Sequence, residues 1–463
     1  MATLHPRVVR FGPALLACVF LVCVYWRGLD TWFYQDDFGW LHLGPAKSFG
    51  DFLHILFAPK AHGNVRPWSE NAYFYALKAL FGIDSGPFRV VVYATVMASL
   101  FLMDSILRRL TGSAWAAFAG LIFWLASPGI APGLCWSSIY NQSLSTFFLL
   151  LSLLLLMQRR WRAQVIVFAL GLGSLETVVM YPAIAALYLW LYDRAQLRRV
   201  IPLFAISAAF TVLHFVVAPS AKTGPYAMQF DARILRTFWA YLEMALGPER
   251  LGHFYWMWPA WVAPALTVAM LAGLLAALLL AGRTGVLGAG WFVLILAPVL
   301  LLPDHVMDYL LFAPAVGVAI VLASALSRRL RIIAAVALLY VACGLPATWH
   351  IVRWNYERSQ ISRTLVLGVV EYSRAHPGQT LLLTGMDTDQ FHAGYADLPF
   401  ELFGMKNVFL APGGDSKIQD STGIAPLYVL DPKKAAPLLA AGRAVVLDIS
   451  GGQLREVPPA KAE

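Results

Sequence analysis

The chain has 463 residues, 59% of them hydrophobic and only 13% charged, with 16 Trp and a formal net charge of +9. About a quarter of a soluble domain is charged. This composition, with a mean hydropathy of +0.65, excludes a soluble globular enzyme, a disordered chain and a nucleic-acid-binding domain, and implies a polytopic α-helical membrane protein.

A crossing needs about 20 mostly apolar residues, because a backbone in lipid must satisfy its own hydrogen bonds. Eleven such runs are predicted, near 11–26, 88–107, 113–130, 139–157, 163–175, 177–192, 200–219, 260–281, 286–302, 310–326 and 332–350. The first resembles a secretory signal, but the spans behind it favour a retained anchor. Cys18, Cys23, Cys135 and Cys343 are too scattered for a disulfide framework or a zinc site; Cys18 and Cys23, in one apolar run, read as small buried apolar residues.

The short loops set the orientation. Arg7 and Arg10 precede the first span. Arg108–Arg109, Arg159–Arg160–Arg162, Arg194–Arg198–Arg199, Arg283 and Arg328–Arg329–Arg331 follow the second, fourth, sixth, eighth and tenth. All fall on one side, expected to be the cytoplasm, with the N-terminus. The turns 131–138 and 303–309 carry no Lys or Arg and are placed outside, and an odd span count puts the C-terminus there too. The expected location is a bacterial inner membrane.

Residues 1–350 then form the membrane domain, with outer loops 27–87 and 220–259. The first loop contains two amphipathic stretches, 48–58 and 70–81; the apolar face Phe49, Phe52, Leu53, Leu56 and Phe57 suits either the membrane interface or the tops of other helices. Tyr255, Trp256 and Trp258 close the second loop as boundary anchors. From about 351 charge, Gly and Pro rise. Apolar runs at 380–384, 407–410, 426–430 and 444–449 alternate with helix-like pieces at 358–375 and 432–441, which reads as a small α/β domain, 351–463.

The most informative motif is Tyr34–Trp40, "YQDDFGW", where the first span meets the first outer loop. Neighbouring side chains point in different directions on a helix or a strand, so Asp36 and Asp37 cannot flank one glycosidic bond as an acid and base pair. One of them acts on substrate; the other is structural or binds a cation, and a divalent metal is the only cofactor the pair suggests. A phosphate ester leaves as a stabilised anion and needs charge neutralisation rather than a proton, so one carboxylate suffices to deprotonate an acceptor hydroxyl. Arg66 in "NVRPW" suits a forked grip on phosphate; Lys60, His62 and Lys222 are weaker candidates. Glu176, at the membrane boundary, needs a partner or water and reads either as an ion pair or helix-end carboxylate, or as a support of the cavity. His305 and Asp308, in "PDHVMDY", sit in a short outer turn. His214 and His253 read as satisfied polar groups. There is no Gly-rich phosphate loop, Ser-His-Asp set or H-E-x-x-H motif.

In this order and sidedness the motifs resemble the GT-C superfamily of membrane glycosyltransferases, in particular the protein O-mannosyltransferase and aminoarabinose-transferase-like group. The resemblance covers roughly residues 10–330 and rests on the acidic pair, "VRPW" with the following "YFYALKALFGIDSGPFRVVVY", "LIFWLASPGIAPGLCWSSIYNQSLSTFFLLLSLL", "GSLETVVMYPAI" and "PDHVMDYLLFAPAVGVAI". The chain departs from the family pattern where Leu175 stands for a frequent Lys, Met307–Asp308 for Glu-Arg, and Phe88 and Ser127 for His, so its grip on the donor differs. The resemblance implies transfer of a sugar from a polyprenyl-phosphate donor to a hydroxyl of a lipid, glycan or protein acceptor, with inversion, on the outer membrane face. It implies Asp36 as base, Asp37 as its neighbour, and Arg66, Glu176, His305 and Asp308 as substrate-binding groups. Membrane lipids are the other expected partner, and nucleic acid is excluded. The rival readings are a transporter or flippase, and a non-catalytic factor in envelope-glycan assembly.

Overall fold

The computed structural model describes residues 6–59, 64–217, 219, 221–249, 259–419 and 423–457. Lys60, His62, His253, Tyr255, Trp256 and Trp258 lie outside the described residues, as do the side chains of Arg7, Arg10 and Arg331.

The molecule is a helical bundle with a small sheet at its C-terminal end. Among the described residues, seven helices are long and apolar enough to cross a membrane: Phe11–Leu29, Ser85–Thr111, Ser137–Met157, Arg194–Val217, Val262–Ala281, Arg283–Leu301 and Ile333–Ala375. A bent pair, Ala114–Leu125 with Pro128–Cys135, makes an eighth. Shorter apolar helices, Trp161–Leu172, Glu176–Tyr192 and Ala315–Arg328, occupy the remaining predicted runs. The outward surface is apolar, as a lipid-facing surface must be: Leu213, Val216, Leu275 and Leu279 are all exposed. Cys23 is on that surface rather than buried, whereas Cys135 and Cys343 are buried.

Local chemistry sets the helix ends. Asp84 accepts a hydrogen bond from the Gly86 amide and starts Ser85–Thr111; Gly112, at φ +69°, ends it. Ser113 then caps the next helix through the Ala116 amide. Pro128 cannot continue that helix, and the chain bends by 66° at the break. The predicted outer turn 131–138 is therefore not an open loop. It is a run of short helices whose residues are almost all buried.

The arginine-bearing ends gather at one end of the bundle. Arg159 pairs with Asp193 at 2.8 Å, Tyr192 hydrogen-bonds Thr284, and the Arg328 guanidinium lies beside Gly282.

The long loop 27–87 contains helices Phe49–Phe57 and Tyr73–Phe81, as the amphipathic pattern predicts. Leu56 is buried whereas Phe49, Phe57, Leu80 and Phe81 are exposed, so each helix rests on the bundle with an apolar rim outward. The predicted loop 220–259 holds an amphipathic helix, Arg233–Leu246, not foreseen from its sequence; it buries Tyr241, Met244 and Leu246 and exposes Leu235 and Trp239.

The last span does not end near 350. One helix, Leu330–Ala375, takes in both the predicted span and the predicted piece 358–375. The composition changes at 351 because the helix leaves the apolar zone, not because a new element begins. Beyond it lie strands β1 (Thr380–Thr384), β2 (Val408–Leu410), β3 (Ala444–Asp448) and β4 (Arg455–Val457), in the order β2-β1-β3-β4. The first three are parallel, and β4 is antiparallel to β3. The apolar run 426–430 is not a strand: Ala425–Tyr428 is a 3-10 turn followed by a single bridge, Val429 to Leu410. β4, "REV", has no apolar alternation by which to find it.

Candidate active site

Loop 27–87, the short helices before Tyr140, the turn before Thr177, the chain around His214–Met228, the late turn 303–309 and one residue of the C-terminal α/β part enclose a cavity of about 670 Å³. That is the size of a small-molecule site. Asp36, Arg66, Glu176 and His305 all line it; Asp37, Asp308 and Lys222 do not.

The adjacent carboxylates are separated by burial. Gln35 adopts a left-handed φ of +53°, and the short helix Asp37–Leu41 begins directly after it. Asp36 is left exposed in the cavity while Asp37 is fully buried. Asp37 accepts from the Ser138 amide at 2.7 Å, the Ser138 hydroxyl at 2.6 Å and the Tyr34 amide at 3.2 Å. The buried Arg89 guanidinium stands 3.9 Å away. Burial pushes the Asp37 carboxyl up to about 6, against the pull of Arg89 and the Ser138 hydrogen bonds. These donors use the oxygens that a metal would need, so Asp37 reads as the structural member of the pair. Among the described residues no group of three or more His, Cys, Asp or Glu side chains is arranged to hold a metal ion. Arg89 was missed in the sequence; the signal was a lone Arg at the start of an apolar run, where an unpaired charge is costly.

Arg66 is not an open phosphate grip. Its Nε reaches both oxygens of Glu176 at 3.0 Å, and a terminal nitrogen reaches Glu176 at 2.8 Å. The other terminal nitrogen reaches Glu70 at 2.6 Å. Burial alone would weaken the Arg66 charge, but Glu176 and Glu70 more than offset it and hold the guanidinium protonated. Burial pushes Glu70 above the usual carboxylate range despite Arg66. Glu70 also accepts from the Asn141 side-chain amide at 2.9 Å.

This meeting is built by two loops. A π-type turn over Pro67–Ala72, with the Asn71 amide reaching back to the Arg66 carbonyl, widens the first turn; such turns recur at functional sites. The loop docks on the end of the helix Trp161–Leu172: the Trp68 amide donates to the Gly173 carbonyl and the Ser69 hydroxyl to the Ser174 carbonyl at 2.6 Å. A Cβ at Gly173 would lie 2.4 Å from the Trp68 ring, so only glycine permits the approach that carries Arg66 to Glu176. Glu176 is thus both ion-paired and part of the cavity wall, joining two alternatives that the sequence left apart.

His305 lies against the Tyr226 ring, with centroids 4.5 Å apart, and its Nε2 is 3.2 Å from the Tyr309 hydroxyl. Asp308, instead of facing the cavity, accepts from the Tyr309 amide at 2.9 Å at the start of the turn Asp308–Leu311. The sequence reading did not single out the cavity residues Glu70, Trp136, Ser138, Asn141, Tyr226, Tyr309 and Asp397. His214, read there as a satisfied polar group, also lines the cavity. Phe215, Pro298, Val299 and Leu302 give part of the wall an apolar surface.

The fold and the cavity together define a polytopic helical membrane protein with a polar site where the loops meet the bundle. The solved structure of ArnT from Cupriavidus metallidurans in the apo state shares this fold, with a TM-score of 0.51 and 13% identity over 94% of this chain and 93% of that one. ArnT from the same organism bound to undecaprenyl phosphate aligns with a TM-score of 0.49 and 14% identity over 95% and 93%. No family model matches the sequence, and neither does any curated protein.

Proposed function

We propose that the protein transfers one sugar from a polyprenyl-phosphate donor to an acceptor hydroxyl, with inversion, at the outer face of the cytoplasmic membrane. The observation that carries this reading is the division of labour at the acidic pair: Asp36 is open to the cavity, and Asp37 is sealed beneath it by Ser138, Tyr34 and Arg89. Of the carboxylates lining the cavity, Glu70 and Glu176 are held by Arg66, and Asp36, the exposed member of the acidic pair, fits the base of a single displacement. Asp36 takes the hydroxyl proton as the oxygen attacks the anomeric carbon, and the bond from that carbon to the phosphate oxygen breaks. The electron pair leaves with the polyprenyl phosphate. Arg66, steered by Glu176 and Glu70, and the imidazoles of His214 and His305 are the groups that face the departing charge. Phe215, Pro298, Val299 and Leu302 suit the first isoprene units.

Arginines at the opposite end support an outward-facing cavity by the bias of cytoplasmic loops, and eleven crossings would place both the cavity and the C-terminus outside. The fold shared with ArnT fits this architecture. The flippase reading is less favoured: among the described residues the one fully buried charge pair, Asp37 with Arg89, has its carboxylate closed off by hydrogen bonds rather than strung along a path through the bilayer.

The test uses purified protein with a radiolabelled panel of polyprenyl-phosphate hexoses and pentoses, offered with a glycolipid, a neutral oligosaccharide and a Ser/Thr peptide. Label on one acceptor, with release of polyprenyl phosphate, is the expected result. Intact donor moved across a vesicle without bond cleavage would establish the flippase instead. No label transferred in any combination would favour the assembly factor.

A further inference from the structure

We infer that Asp397, supplied by the C-terminal α/β part, positions the acceptor hydroxyl in the cavity; the inference rests on the glycosyl-transfer reading. Among the described residues from 330 onward, Asp397 alone lines the cavity, and nothing in its sequence context marks it.

The geometry around it is built to hold one carboxylate in place. The helix Thr388–Gly394 is fixed by a capping box between Asp387 and Gln390. The chain then turns through Tyr395 and Ala396, and Leu398 adopts a left-handed φ of +53°. A bulky residue there is strained and persists only where its surroundings impose it. The surroundings are present. The Leu398 amide donates to the Tyr395 carbonyl at 3.0 Å, the His42 Nε2 lies 3.2 Å from the Leu398 carbonyl, and the Tyr428 hydroxyl donates to the Ala396 carbonyl.

The same device appears across the contact. Among the described residues three non-glycine residues have a left-handed φ: Gln35, Arg159 and Leu398. Gln35 immediately precedes Asp36, and Leu398 immediately follows Asp397. The Gln35 amide donates to the Ala393 carbonyl at 2.9 Å, tying the two strained turns together. Asp397 Oδ1 lies 3.9 Å from where a Cβ on Gly39 would stand, and Gly39 is on the Asp36 turn.

Charge assigns the side. Among the described residues Arg66 is the one Lys or Arg lining the cavity, and it stands on the Glu176 wall, where on the glycosyl-transfer reading it faces the departing phosphate. Among the described residues no Lys or Arg lines the cavity beside Gly39, His42 and Asp397; the Lys78 ammonium behind that wall donates to the Leu41 and Leu43 carbonyls. A carboxylate there repels phosphate and accepts a hydrogen bond from a neutral hydroxyl, the chemistry of an acceptor.

The test takes the full chain, the donor and the acceptor probe that the wild type turns over, and Asp397→Asn, which preserves shape. The acceptor KM should rise about tenfold, as for loss of a hydrogen bond to a charged group. Donor KM, and the slow hydrolysis of donor by water, should stay within about twofold. Gly39→Ser, which offers Asp397 a hydroxyl from the other side, should raise the acceptor KM alone and guards against misfolding at 397. An unchanged acceptor KM in both variants, or an equal rise in donor KM, overturns the assignment while leaving the transfer reading intact. A wild type that transfers no sugar overturns both.

Discussion

The dry floor beneath the cavity and the open wall above it use the same groups, a carboxylate and an arginine, to different ends. On the floor, Arg89 faces Asp37 with both side chains fully buried, and serine and backbone donors satisfy the carboxylate. On the wall, Arg66 is shared by Glu70 and Glu176, both within a cavity that admits a ligand. The difference is access. A sealed pair fixes the turn that presents Asp36; an arginine held between two carboxylates stays protonated at the edge of the cavity.

The largest expected effect lies where floor and wall meet. Asp36→Asn keeps shape and hydrogen bonding but removes basicity, so turnover should fall about 10²–10⁴-fold, the usual contribution of a positioned base. Size-exclusion elution and donor binding should stay normal. Single-turnover label transfer measures it.

On the floor the cost should appear as stability. Asp37→Asn sets an amide NH2 against donors that the carboxylate now satisfies, the Ser138 and Tyr34 amides, a loss of about 1–3 kcal/mol for a buried polar group left unpaired, read as a lower thermal midpoint in detergent. The pH dependence has a definite sign. Burial raises the Asp37 carboxyl from 3.8 to about 6, so between those values the folded state binds the extra proton. Its contribution to stability is therefore full below about 4 and lost as pH rises through about 6. Asp37→Asn should flatten that slope; an unchanged slope would assign it to other groups.

Wall variants should be milder. Glu176→Gln weakens the hold on Arg66 without emptying the cavity, and a loss of roughly 10–100-fold in turnover is expected by analogy with the outer supports of metal sites. Arg66→Lys should be impaired nearly as much as Arg66→Ala, because the fork onto Glu176 needs guanidinium geometry. Equal donor kinetics in Arg66→Lys and wild type would show that charge alone matters.

The smallest effect is expected at Asp308. The sequence made it a substrate-binding residue, but it is outside the cavity lining and accepts from the Tyr309 amide. Asp308→Asn should change turnover by less than about threefold, in the range of substitutions away from special features.

Much of this was legible because it is local. Hydropathy located the seven long apolar helices, caps and glycines marked helix ends, and an acidic pair beside an apolar run drew attention to 34–40. Partner choice was not local. Arg66 and Glu176 are 110 residues apart, and their meeting depends on a π turn and on the missing side chain of Gly173. Neither hydropathy nor helical period encodes these. Glu70 was hidden for the same reason, since a regular helix after Pro67 would have aimed it differently. Asp397 gave no signal, because its position follows from how a small α/β part docks on a turn more than three hundred residues earlier.

The stereochemistry of transfer tests the one-base reading most directly. An anomerically pure polyprenyl-phosphate donor is turned over and the product's anomeric configuration is read by NMR. A single displacement assisted by Asp36 alone gives inversion. Retention would require a second carboxylate acting as nucleophile and a covalent sugar intermediate, and would contradict the assignment of Asp36 as the base of a direct attack.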